Sequence, residues 1–266
     1  MPLRLAPSFR AQLAAADRPF VGMWVCSGSP LLAEVAAGSG LDWLLIDMEH
    51  SANTLESVQV QLQAVAAYPV TPLVRAPFND QVAIKQILDL GAQNLIVPMV
   101  SSAEEARAAV AATRYPPEGV RGVGSALARS ARWNRVDRYL QESAEHTSLT
   151  VQIETTAGVE AAAEIAAVDG VDAVFVGPSD LSASMGLLGQ QTHPDVVRAV
   201  ESVFAAVHGT GTPVGVNAFD PAAADAYLAA GADFVAVGAD VALLARASEA
   251  LATRFIGTDG AGRASY

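Results

Sequence analysis

The feature that most restricts how this chain can fold is an alternation, repeated eight times, of a short apolar run with an alanine-rich stretch. Most of the apolar runs are continuous rather than alternating in polarity, as parallel strands are when helices cover both faces of the sheet. Alanine favours helix, and several of the alanine-rich stretches end in glycine, a common residue just after a helix. Eight such units predict an α/β fold, the (β/α)8 TIM barrel. The predicted strands are Val21–Cys26, Asp42–Asp47, Thr71–Arg75, Asn94–Pro98, Leu149–Glu154, Asp172–Gly177, Pro213–Asn217 and Asp233–Gly238, and the predicted helices are Leu31–Gly40, Leu55–Ala67, Gln81–Gly91, Ala103–Thr113, Ala157–Val168, Pro194–Gly209, Pro221–Gly231 and Val241–Thr253.

A doubly wound open sheet is the alternative architecture for such a pattern. That fold commonly carries a GxGxxG sequence after its first strand, and none follows Val21–Cys26 in this sequence. The barrel is therefore the better prediction, since ~250 residues is the usual size of a single barrel domain. We expect one domain over residues 1–255, with an arginine-rich insertion at 114–147 and a flexible C-terminal tail at 256–266.

Charge and hydropathy argue against several classes of protein. The 266 residues include 28 Asp and Glu against 16 Lys and Arg, a net charge of −12, which argues against general binding to nucleic acid or to anionic membranes. No stretch of ~20 uncharged apolar residues is present to span a membrane, and Met1–Arg10 lacks the apolar region of a signal peptide. Cys26 is the single cysteine, so no internal disulfide can form. These features predict a cytoplasmic protein.

Polar residues collect at the predicted strand ends, where function sits in a barrel of this kind. Glu154 ends a strand, Gln152 points to the same face two residues earlier, and Asp180 follows the next strand. Two carboxylates and an amide oxygen make an all-oxygen site that suits Mg²⁺ or Mn²⁺. The structural alternative is that Asp180 caps a helix and Glu154 pairs with an arginine.

The turn at Gly177–Asp180 begins a helix, and backbone N–H groups at such a position attract anions. Beside a divalent metal, this turn suits a ligand that is both a carboxylate and a chelator, of which a 2-oxo acid such as pyruvate is the simplest. Histidine titrates near neutral pH, so His50, which follows a strand end, is a candidate general base. Arg75 ends a neighbouring strand and suits stabilisation of an oxyanion. The alternative for His50 is a structural role.

The scarcity of lysine restricts the chemistry of such a site. Of the 16 basic residues, fifteen are arginine and one is lysine, Lys85. Schiff-base formation with a carbonyl substrate needs a lysine at the reacting centre, which in a barrel means an inward-pointing strand residue. Lys85 instead lies in the middle of a predicted helix, where we expect it to be solvated. Carbanion chemistry must then depend on a metal, Arg75 and hydrogen bonds, and we expect no organic cofactor.

One connection is far longer than the ~2–6 residues usual between a helix and the next strand. Residues 114–147 follow the fourth helix, and six arginines but only two acids lie between Arg114 and Arg138. One interpretation is a flap facing an anion, since guanidinium groups bind carboxylates in bidentate fashion. The glycines between Arg121 and Ser125 would let it approach a ligand closely. The other interpretation is an insertion whose arginines pair with surface carboxylates or contact another subunit.

Five segments together carry a resemblance to a known family. They are Leu41–His50 (LDWLLIDMEH), Ile84–Val100 (IKQILDLGAQNLIVPMV), Arg121–Asn134 (RGVGSALARSARWN), Gln152–Thr155 (QIET) and Phe175–Ala183 (FVGPSDLSA). As a set they resemble the metal-dependent (class II) pyruvate aldolases, the hydroxy ketoacid aldolases that include 4-hydroxy-2-oxoheptanedioate aldolase and 2-dehydro-3-deoxyglucarate aldolase. The resemblance runs from about Val21 to Leu251.

The resemblance implies a TIM barrel and a role for individual residues. Glu154 and Asp180 would bind Mg²⁺, Mn²⁺ or Co²⁺, and members are commonly hexamers that exchange a C-terminal helix, so we expect a homohexamer. The implied catalytic residues are His50 as base, Arg75 as transition-state stabiliser and Asp89, which would raise the basicity of His50. The implied or candidate substrate-binding residues are Gln152, Gly177, the backbone of Ser179, Asp47, Arg121 and Ser125.

The implied reaction is reversible cleavage of a 4-hydroxy-2-oxo acid to pyruvate, or hydroxypyruvate, and an aldehyde through a metal-stabilised enolate. One alternative uses the same site to decarboxylate oxaloacetate or to cleave an acyl-CoA ester. Another is a ligand-binding barrel or assembly scaffold without turnover. The chain departs from the family pattern at Met48, where glycine is usual, at Ser179, where alanine is frequent, and at Asn217, where an apolar residue is usual. Asn217 is expected to alter the aldehyde pocket.

Overall fold

The computed structural model describes residues 3–257 and is built around a closed barrel of eight parallel strands. Each strand pairs with the next along the chain, and the last strand pairs with the first to close the barrel. The predicted (β/α)8 barrel is therefore confirmed. The strands are β1 (Phe20–Val25), β2 (Trp43–Asp47), β3 (Thr71–Arg75), β4 (Asn94–Val97), β5 (Ser148–Ile153), β6 (Ala173–Val176), β7 (Val214–Asn217) and β8 (Phe234–Ala239).

Helices lie between the strands around the outside of the barrel. Several begin at a side chain that accepts a hydrogen bond from a first-turn N–H group, as at Ser29, Thr54 and Asp80. The helices are α1 (Phe9–Ala14), α2 (Pro30–Ala37), α3 (Leu55–Ala64), α4 (Gln81–Asp89), α5 (Ala103–Thr113), α6 (Tyr139–His146), α7 (Thr156–Glu160), α8 (Ala162–Ala166), α9 (Pro178–Ser184), α10 (Pro194–His208), α11 (Pro221–Ala229) and α12 (Asp240–Ile256), with a 3-10 turn at Val65–Ala67 after α3.

The observed elements follow the predicted ones with small differences at their ends. The predicted helix Ala157–Val168 is divided into α7 and α8 at Ala161, whose ψ of 6° departs from helical geometry. Three further helices, α1, α6 and α9, lie outside the predicted helix ranges, although a helix start is expected at Gly177–Asp180. All three are shorter than the stretch over which helical periodicity becomes visible in a sequence.

Aromatic side chains fill the inside of the barrel. The rings of Trp43, Phe175 and Phe234 are fully buried, with the centroid of Trp43 lying 6.2 Å from Phe175 and 5.8 Å from Phe234. Phe9 of α1 packs 5.2 Å from the Phe234 centroid, edge to face. Its backbone N–H donates to Asn94 at the start of β4. The helix α1 therefore closes the end of the barrel at which the strands begin.

Gly22 in β1 has no side chain, and the ring of Trp43 occupies the space that a side chain would fill. A Cβ at Gly22 would lie 2.3 Å from Cδ2 of that ring, well inside van der Waals contact. We therefore expect Gly22→Ala to lower the free energy of unfolding by about 1–3 kcal/mol, the usual cost of overpacking a core. Urea unfolding measures this difference. Gly238→Ala in β8 is the control, because its Cβ would meet its nearest neighbour, Leu243, only at 3.9 Å; equal losses in both variants would contradict the packing argument.

The last helix is largely exposed in the single chain. Asp240, at its start, is the one buried residue of the 17 in α12. The side chains of Leu251, Phe255 and Ile256 are 59%, 74% and 76% exposed. Exchange of α12 between subunits would cover these apolar side chains. This exchange stays a prediction. Apart from Ile256 and Gly257, the predicted C-terminal tail lies outside the described residues. Within residues 3–257, no helix is long and apolar enough to cross a membrane.

Candidate active site

The ends of β2, β3, β5 and β6 bring together most of the polar residues that the sequence placed at strand ends. Arg75 is the last residue of β3, Glu154 follows β5, and Asp180 lies in α9 directly after β6. The charges of Arg75 and Asp180 both act on the pKa of Glu154, so the three side chains share one electrostatic environment. In a (β/α)8 barrel this is the face that carries function.

Arg75 is held in place by two carboxylates and an aromatic ring. Its Nε and Nη2 donate to the two oxygens of Asp47 at 2.8 and 2.9 Å, and its Nη1 lies 2.8 Å from Oε2 of Glu49. The guanidinium also lies over the ring of Trp24, 4.3 Å from its centroid. Burial alone lowers the pKa of Arg75, but the hydrogen bonds and charges of these carboxylates raise it on balance. Arg75 is therefore a fixed cation in the site.

Asp47 organises the turn that follows β2. Besides binding Arg75, its carboxylate accepts hydrogen bonds from the backbone N–H groups of Glu49 and His50 at 3.0 and 3.2 Å. Its carbonyl oxygen accepts from the Asn53 side chain at 2.7 Å. Asp47 is buried, and both carboxylate oxygens already have donors. This geometry does not support direct binding of substrate by Asp47 and makes it instead the residue that positions Arg75.

His50 is the accessible member of this group. Its side chain is 66% exposed, and its Nε2 lies 3.8 Å from Oε1 of Glu49. Glu49 therefore stands between His50 and Arg75, with one oxygen toward each. Burial raises the pKa of Glu49, while the charges of Arg75 and His50 lower it. The imidazole of His50 is therefore accessible to a ligand at the open end of the barrel.

Glu154 is a buried carboxylate with a tightly defined geometry. Its Oε1 accepts a hydrogen bond from the backbone N–H of Met99 at 2.7 Å, and its Oε2 accepts from Nε2 of Gln152 at 2.6 Å. Gly177 lies directly against this pair: a Cβ there would be 2.7 Å from Oε2 of Glu154 and 2.9 Å from Nε2 of Gln152. Position 177 therefore requires glycine because the two side chains occupy the space of a Cβ.

Asp180 and Ser179 lie in the first turn of α9. The helix begins at Gly177, which offers no side chain to cap it, so the first-turn N–H groups have no side-chain acceptor. The hydroxyl of Ser179 donates to Oε1 of Gln191 at 2.8 Å. Asp180 is exposed and makes no hydrogen bond within residues 3–257. The structural alternative, in which Asp180 is a helix cap, is therefore not supported, and its carboxylate is available to a ligand.

The site has more negative charge and more hydrogen-bond acceptors than its own residues satisfy. Among residues 3–257, the carboxylates of Asp47, Glu49, Glu154 and Asp180 lie around the cation Arg75, and the buried Oε1 of Gln152 has no hydrogen-bond partner. A hard divalent cation fits such a set of oxygens. Within residues 3–257 no three His, Cys, Asp or Glu side chains form a complete metal site. Mg²⁺ characteristically keeps several waters and binds through one or two carboxylates.

The charge state of Glu154 predicts how the stability of the metal-free protein depends on pH. Burial, helped by the charges of Glu49 and Asp180, raises the pKa of Glu154 from 4.5 to about 7. Between these values the native state holds a proton that the unfolded chain has released, so the free energy of unfolding falls as pH rises through this window. The difference in the free energy of unfolding between wild type and Glu154→Gln should therefore change by up to ~3 kcal/mol from pH 4.5 to 7.5. Urea unfolding in the presence of a chelator measures it; parallel pH profiles of the two proteins would contradict the prediction.

Three predicted site residues lie elsewhere in the chain. Asp89 is the last residue of α4, at the end of the barrel where the strands begin, and its Oδ1 accepts from Nη2 of Arg121 at 3.0 Å. Arg121 is fully buried and lies over the ring of Tyr115. Ser125 belongs to the same insertion, beside Gly124, whose Cβ would lie 3.9 Å from Oδ2 of Asp89. The single chain therefore does not bring this group to His50, and Arg121 has a structural role in place of an anion-facing one.

Two residues in the site were missed by sequence reasoning. Glu49 contacts both Arg75 and His50, and the polar run that follows β2 was its only signal. Trp24 supports the guanidinium of Arg75 and donates from its Nε1 to Oδ1 of Asn217 at 2.7 Å. Nothing in the sequence distinguishes this tryptophan from a core residue, because its role depends on the pairing of distant strands.

Two residues near the end of β1 have structural roles. Burial raises the pKa of the Cys26 thiol to about 12, which disfavours the thiolate and makes Cys26 a packing residue. Asp240, at the start of α12, accepts a hydrogen bond from the first-turn N–H of Val241 at 2.8 Å. Its carboxylate also accepts from the backbone N–H groups of Cys26 and Ser27 at 2.8 and 3.1 Å, which ties the end of β1 to the end of β8.

The closed barrel and the charged site at its strand ends define a (β/α)8-barrel enzyme. Residues 21–247 match the HpcH/HpaI aldolase/citrate lyase family. A 4-hydroxy-2-oxo-heptane-1,7-dioate aldolase of Salmonella heidelberg (strain SL476) is 52% identical over 240 residues, which are 90% of this chain and 91% of that protein. The aldolase of the same name from Escherichia coli (strain SE11) is 52% identical over 248 residues, 93% of this chain and 94% of its own.

A solved structure shows the same relationship. The crystal structure of an HpcH/HpaI aldolase/citrate lyase family protein from Burkholderia cenocepacia J2315 superposes with a TM-score of 0.89 at 40% identity, covering 94% of this chain and 99% of the other. The chain belongs to the HpcH/HpaI aldolase/citrate lyase family. It is an aldolase, a carbon–carbon lyase, as the resemblance in its sequence implies.

Proposed function

We propose that this aldolase reversibly cleaves 4-hydroxy-2-oxo acids to pyruvate, or hydroxypyruvate, and an aldehyde, with the help of Mg²⁺, Mn²⁺ or Co²⁺. The observation that carries the proposal is the cluster of Glu154, Asp180 and the unpartnered oxygen of Gln152 beside the fixed guanidinium of Arg75. The oxygens suit a cation, and a cation next to an arginine suits a developing oxyanion. The names of the curated relatives specify a substrate of this class.

Each end of the 2-oxo acid has a suitable partner in the site. Glu154 and Asp180 would hold the metal, which when bound acts as a Lewis acid toward the 2-oxo group. The uncapped N–H groups at the start of α9, with that of Ser179 among them, would receive the carboxylate of the substrate. Gly177 keeps the space between these groups free of a side chain. Gln152 orients Glu154 through its amide hydrogen bond.

The protein side chains account for the proton and charge movements of cleavage. His50 would take the proton of the C4 hydroxyl, after which the C3–C4 bond breaks and the C4 oxygen becomes the aldehyde carbonyl. The bonding pair passes to the pyruvyl fragment as an enolate, whose oxygen Arg75 stabilises. Because Asp47, Glu49 and Trp24 already fix Arg75, the guanidinium needs no reorganisation as this charge develops. Protonation of the enolate at C3 yields pyruvate.

The aldehyde portion would extend into a cavity next to the site. This cavity of about 280 Å³ is lined in part by Ser179, Asn217, Phe219 and Tyr227. The Oδ1 of Asn217 is engaged by Trp24, which leaves its amide N–H groups as donors toward the cavity. The cavity therefore suits an aldehyde with a hydroxyl or carboxylate at its far end, in place of the apolar contact that the family pattern leads one to expect here.

Assembly into a homohexamer with exchanged α12 helices would complete the site. The exposed apolar side chains of α12 support a subunit contact, and the Asp89 side chain, which is 30% exposed beside Arg121, stays reachable from another chain. In such an assembly Asp89 would approach the His50 of a neighbouring subunit and raise its basicity. Sedimentation equilibrium distinguishes a hexamer from a monomer, and a monomeric active enzyme would contradict this part of the proposal.

The proposed function is tested by product analysis with several substrates. Chelator-treated enzyme, with and without restored Mg²⁺, Mn²⁺ or Co²⁺, is given 4-hydroxy-2-oxoheptanedioate, oxaloacetate and an acyl-CoA ester, and release of 2-oxo acid or free CoA is measured. We expect metal-dependent release of pyruvate from the hydroxy acid as the fastest reaction. Faster decarboxylation of oxaloacetate or cleavage of the CoA ester would contradict the proposed substrate class. Binding of 2-oxo acids without turnover would contradict an enzymatic role at this site.

A further inference from the structure

A second charged cavity lies at the opposite end of the barrel, where the strands begin. It has a volume of about 570 Å³ and lies between the N-terminal segment, the loop before β3, the loop before β4 and the insertion. Its charged lining consists of Arg4, Arg129 and Arg132, and none of its lining residues is acidic. Three guanidinium groups around one cavity are unexpected in a protein of net charge −12.

Arg129 and Arg132 approach one another without an acidic partner in the part of the chain that the structure describes. The Nη1 atoms of both lie against Gly91, where a Cβ would be 2.7 Å from the first and 3.0 Å from the second. Position 91, with a φ of +95°, therefore accommodates both guanidinium groups only as glycine. Burial and the neighbouring Arg132 lower the pKa of Arg129 to about 10, and burial lowers the pKa of Arg132.

The hydrogen bonds within the chain use only a small part of these guanidinium groups. Arg129 donates from Nη1 to the carbonyl oxygen of Leu90 at 3.0 Å, and Arg132 donates from Nη1 to the carbonyl oxygen of Arg129. The first of these bonds caps the C-terminus of α4, where a cation is favourable. Each guanidinium carries five N–H donors, and neither group forms an ion pair with a carboxylate of residues 3–257. Most of the donors therefore remain for another acceptor.

We propose that the cavity formed by Arg4, Arg129 and Arg132 binds a small anion that carries phosphate or carboxylate groups. Guanidinium groups recognise both through paired N–H···O bonds. The volume is in the range of small-molecule sites. The anion would neutralise the two adjacent charges against Gly91 and connect the insertion to the N-terminal segment. This site lies at the far end of the barrel from Glu154 and Asp180 and does not depend on the proposed reaction.

Binding of inorganic phosphate to the metal-free, full-length protein tests the proposal. Isothermal titration calorimetry, at an ionic strength held constant with chloride, should give saturable binding to the wild type. Arg132→Gln should weaken it about tenfold or more, as expected for loss of a charged hydrogen-bonding group. Arg135→Gln is the matched control, because this exposed arginine of the same insertion does not line the cavity. The affinity of this variant for phosphate should equal that of the wild type. Arg4→Gln, which removes an exposed side chain, should weaken binding in a variant that folds normally.

Phosphate could also bind in the active site, and the arginines could instead serve a subunit contact. Arg75→Lys should bind phosphate as the wild type does; loss of binding in that variant would place the anion in the active site and overturn the proposal. Absence of saturable binding, or equal binding by Arg132→Gln and wild type, would also overturn it. Dissociation of the oligomer by Arg132→Gln, with no effect of phosphate on either protein, would show that the arginines form a subunit contact and not an anion site. Succinate titrated in parallel identifies the preferred group: tighter phosphate binding indicates a phosphorylated ligand, and tighter succinate binding a dicarboxylate.

Discussion

Replacement of Arg75 by lysine is expected to lower kcat for aldol cleavage about 10²–10³-fold, the loss typical when one oxyanion donor is removed. Lysine keeps the positive charge but cannot span both oxygens of Asp47, reach Glu49 and stack on Trp24 at the same time. The charge would then be mobile, whereas the native guanidinium is fixed by contacts of 2.8–2.9 Å. Steady-state kinetics of pyruvate release measure the effect.

The control for this variant is Arg198→Lys, which alters an exposed arginine of α10 paired with the exposed Asp195. Exposed ion pairs contribute little, so this variant should keep wild-type kcat and stability. The unfolding midpoint of both variants is measured alongside, so that a loss of fold is not mistaken for a loss of chemistry. A folded Arg75→Lys enzyme with kcat within twofold of the wild type would show that Arg75 does not stabilise the transition state.

Replacement of Glu154 by glutamine is expected to reduce turnover by about 10³-fold or more at a fixed metal concentration. Glutamine has nearly the same shape, so the hydrogen bond from Met99 can persist while the negative charge is lost. A divalent cation loses one of its two proposed carboxylates, and its affinity should fall with the activity. Asp180→Asn should have a similar effect, because Asp180 has no hydrogen bond in the described structure that would give it another role.

Activity as a function of added Mg²⁺ or Mn²⁺ distinguishes weaker metal binding from a direct loss of chemistry. If Glu154 is a metal ligand, a higher metal concentration should restore part of the activity of Glu154→Gln. Glu164→Gln, an exposed acid on α8, serves as control and should require no more metal than the wild type. Undiminished activity of both Glu154→Gln and Asp180→Asn after chelation would rule out the proposed metal site.

The barrel could be predicted from the sequence because its strands are buried on both sides. Runs such as Trp43–Asp47 are apolar throughout and are followed by helical stretches with recognisable caps, so local pattern and global fold agree. The site at the strand ends follows from the same reasoning, since a parallel barrel places all strand ends on one face. Glu154, Asp180, Gln152 and Arg75 were predicted to lie together for this reason.

What the sequence did not reveal depends on contacts between distant segments. Glu49 and Trp24 acquire their roles only when β1, β2 and β3 pair and place both against Arg75. Similarly, the arginine-rich insertion carries no periodic pattern that would fix its path. No local sequence pattern therefore indicates that Arg121 is buried and pairs with Asp89. Nor does any local pattern indicate that Arg129 and Arg132 line a cavity.

Hydrogen exchange at C3 of pyruvate tests the proposed metal-assisted chemistry most directly, because it reports formation of the enolate without any aldehyde. Proton NMR follows the methyl signal of pyruvate in D₂O with chelator-treated enzyme, with and without Mg²⁺ or Mn²⁺. We expect rapid loss of the methyl signal when wild type and metal are both present, and little loss after chelation or with Glu154→Gln. Equally rapid exchange by metal-free enzyme, or by Glu154→Gln at low metal concentration, would contradict a metal site formed by Glu154 and Asp180.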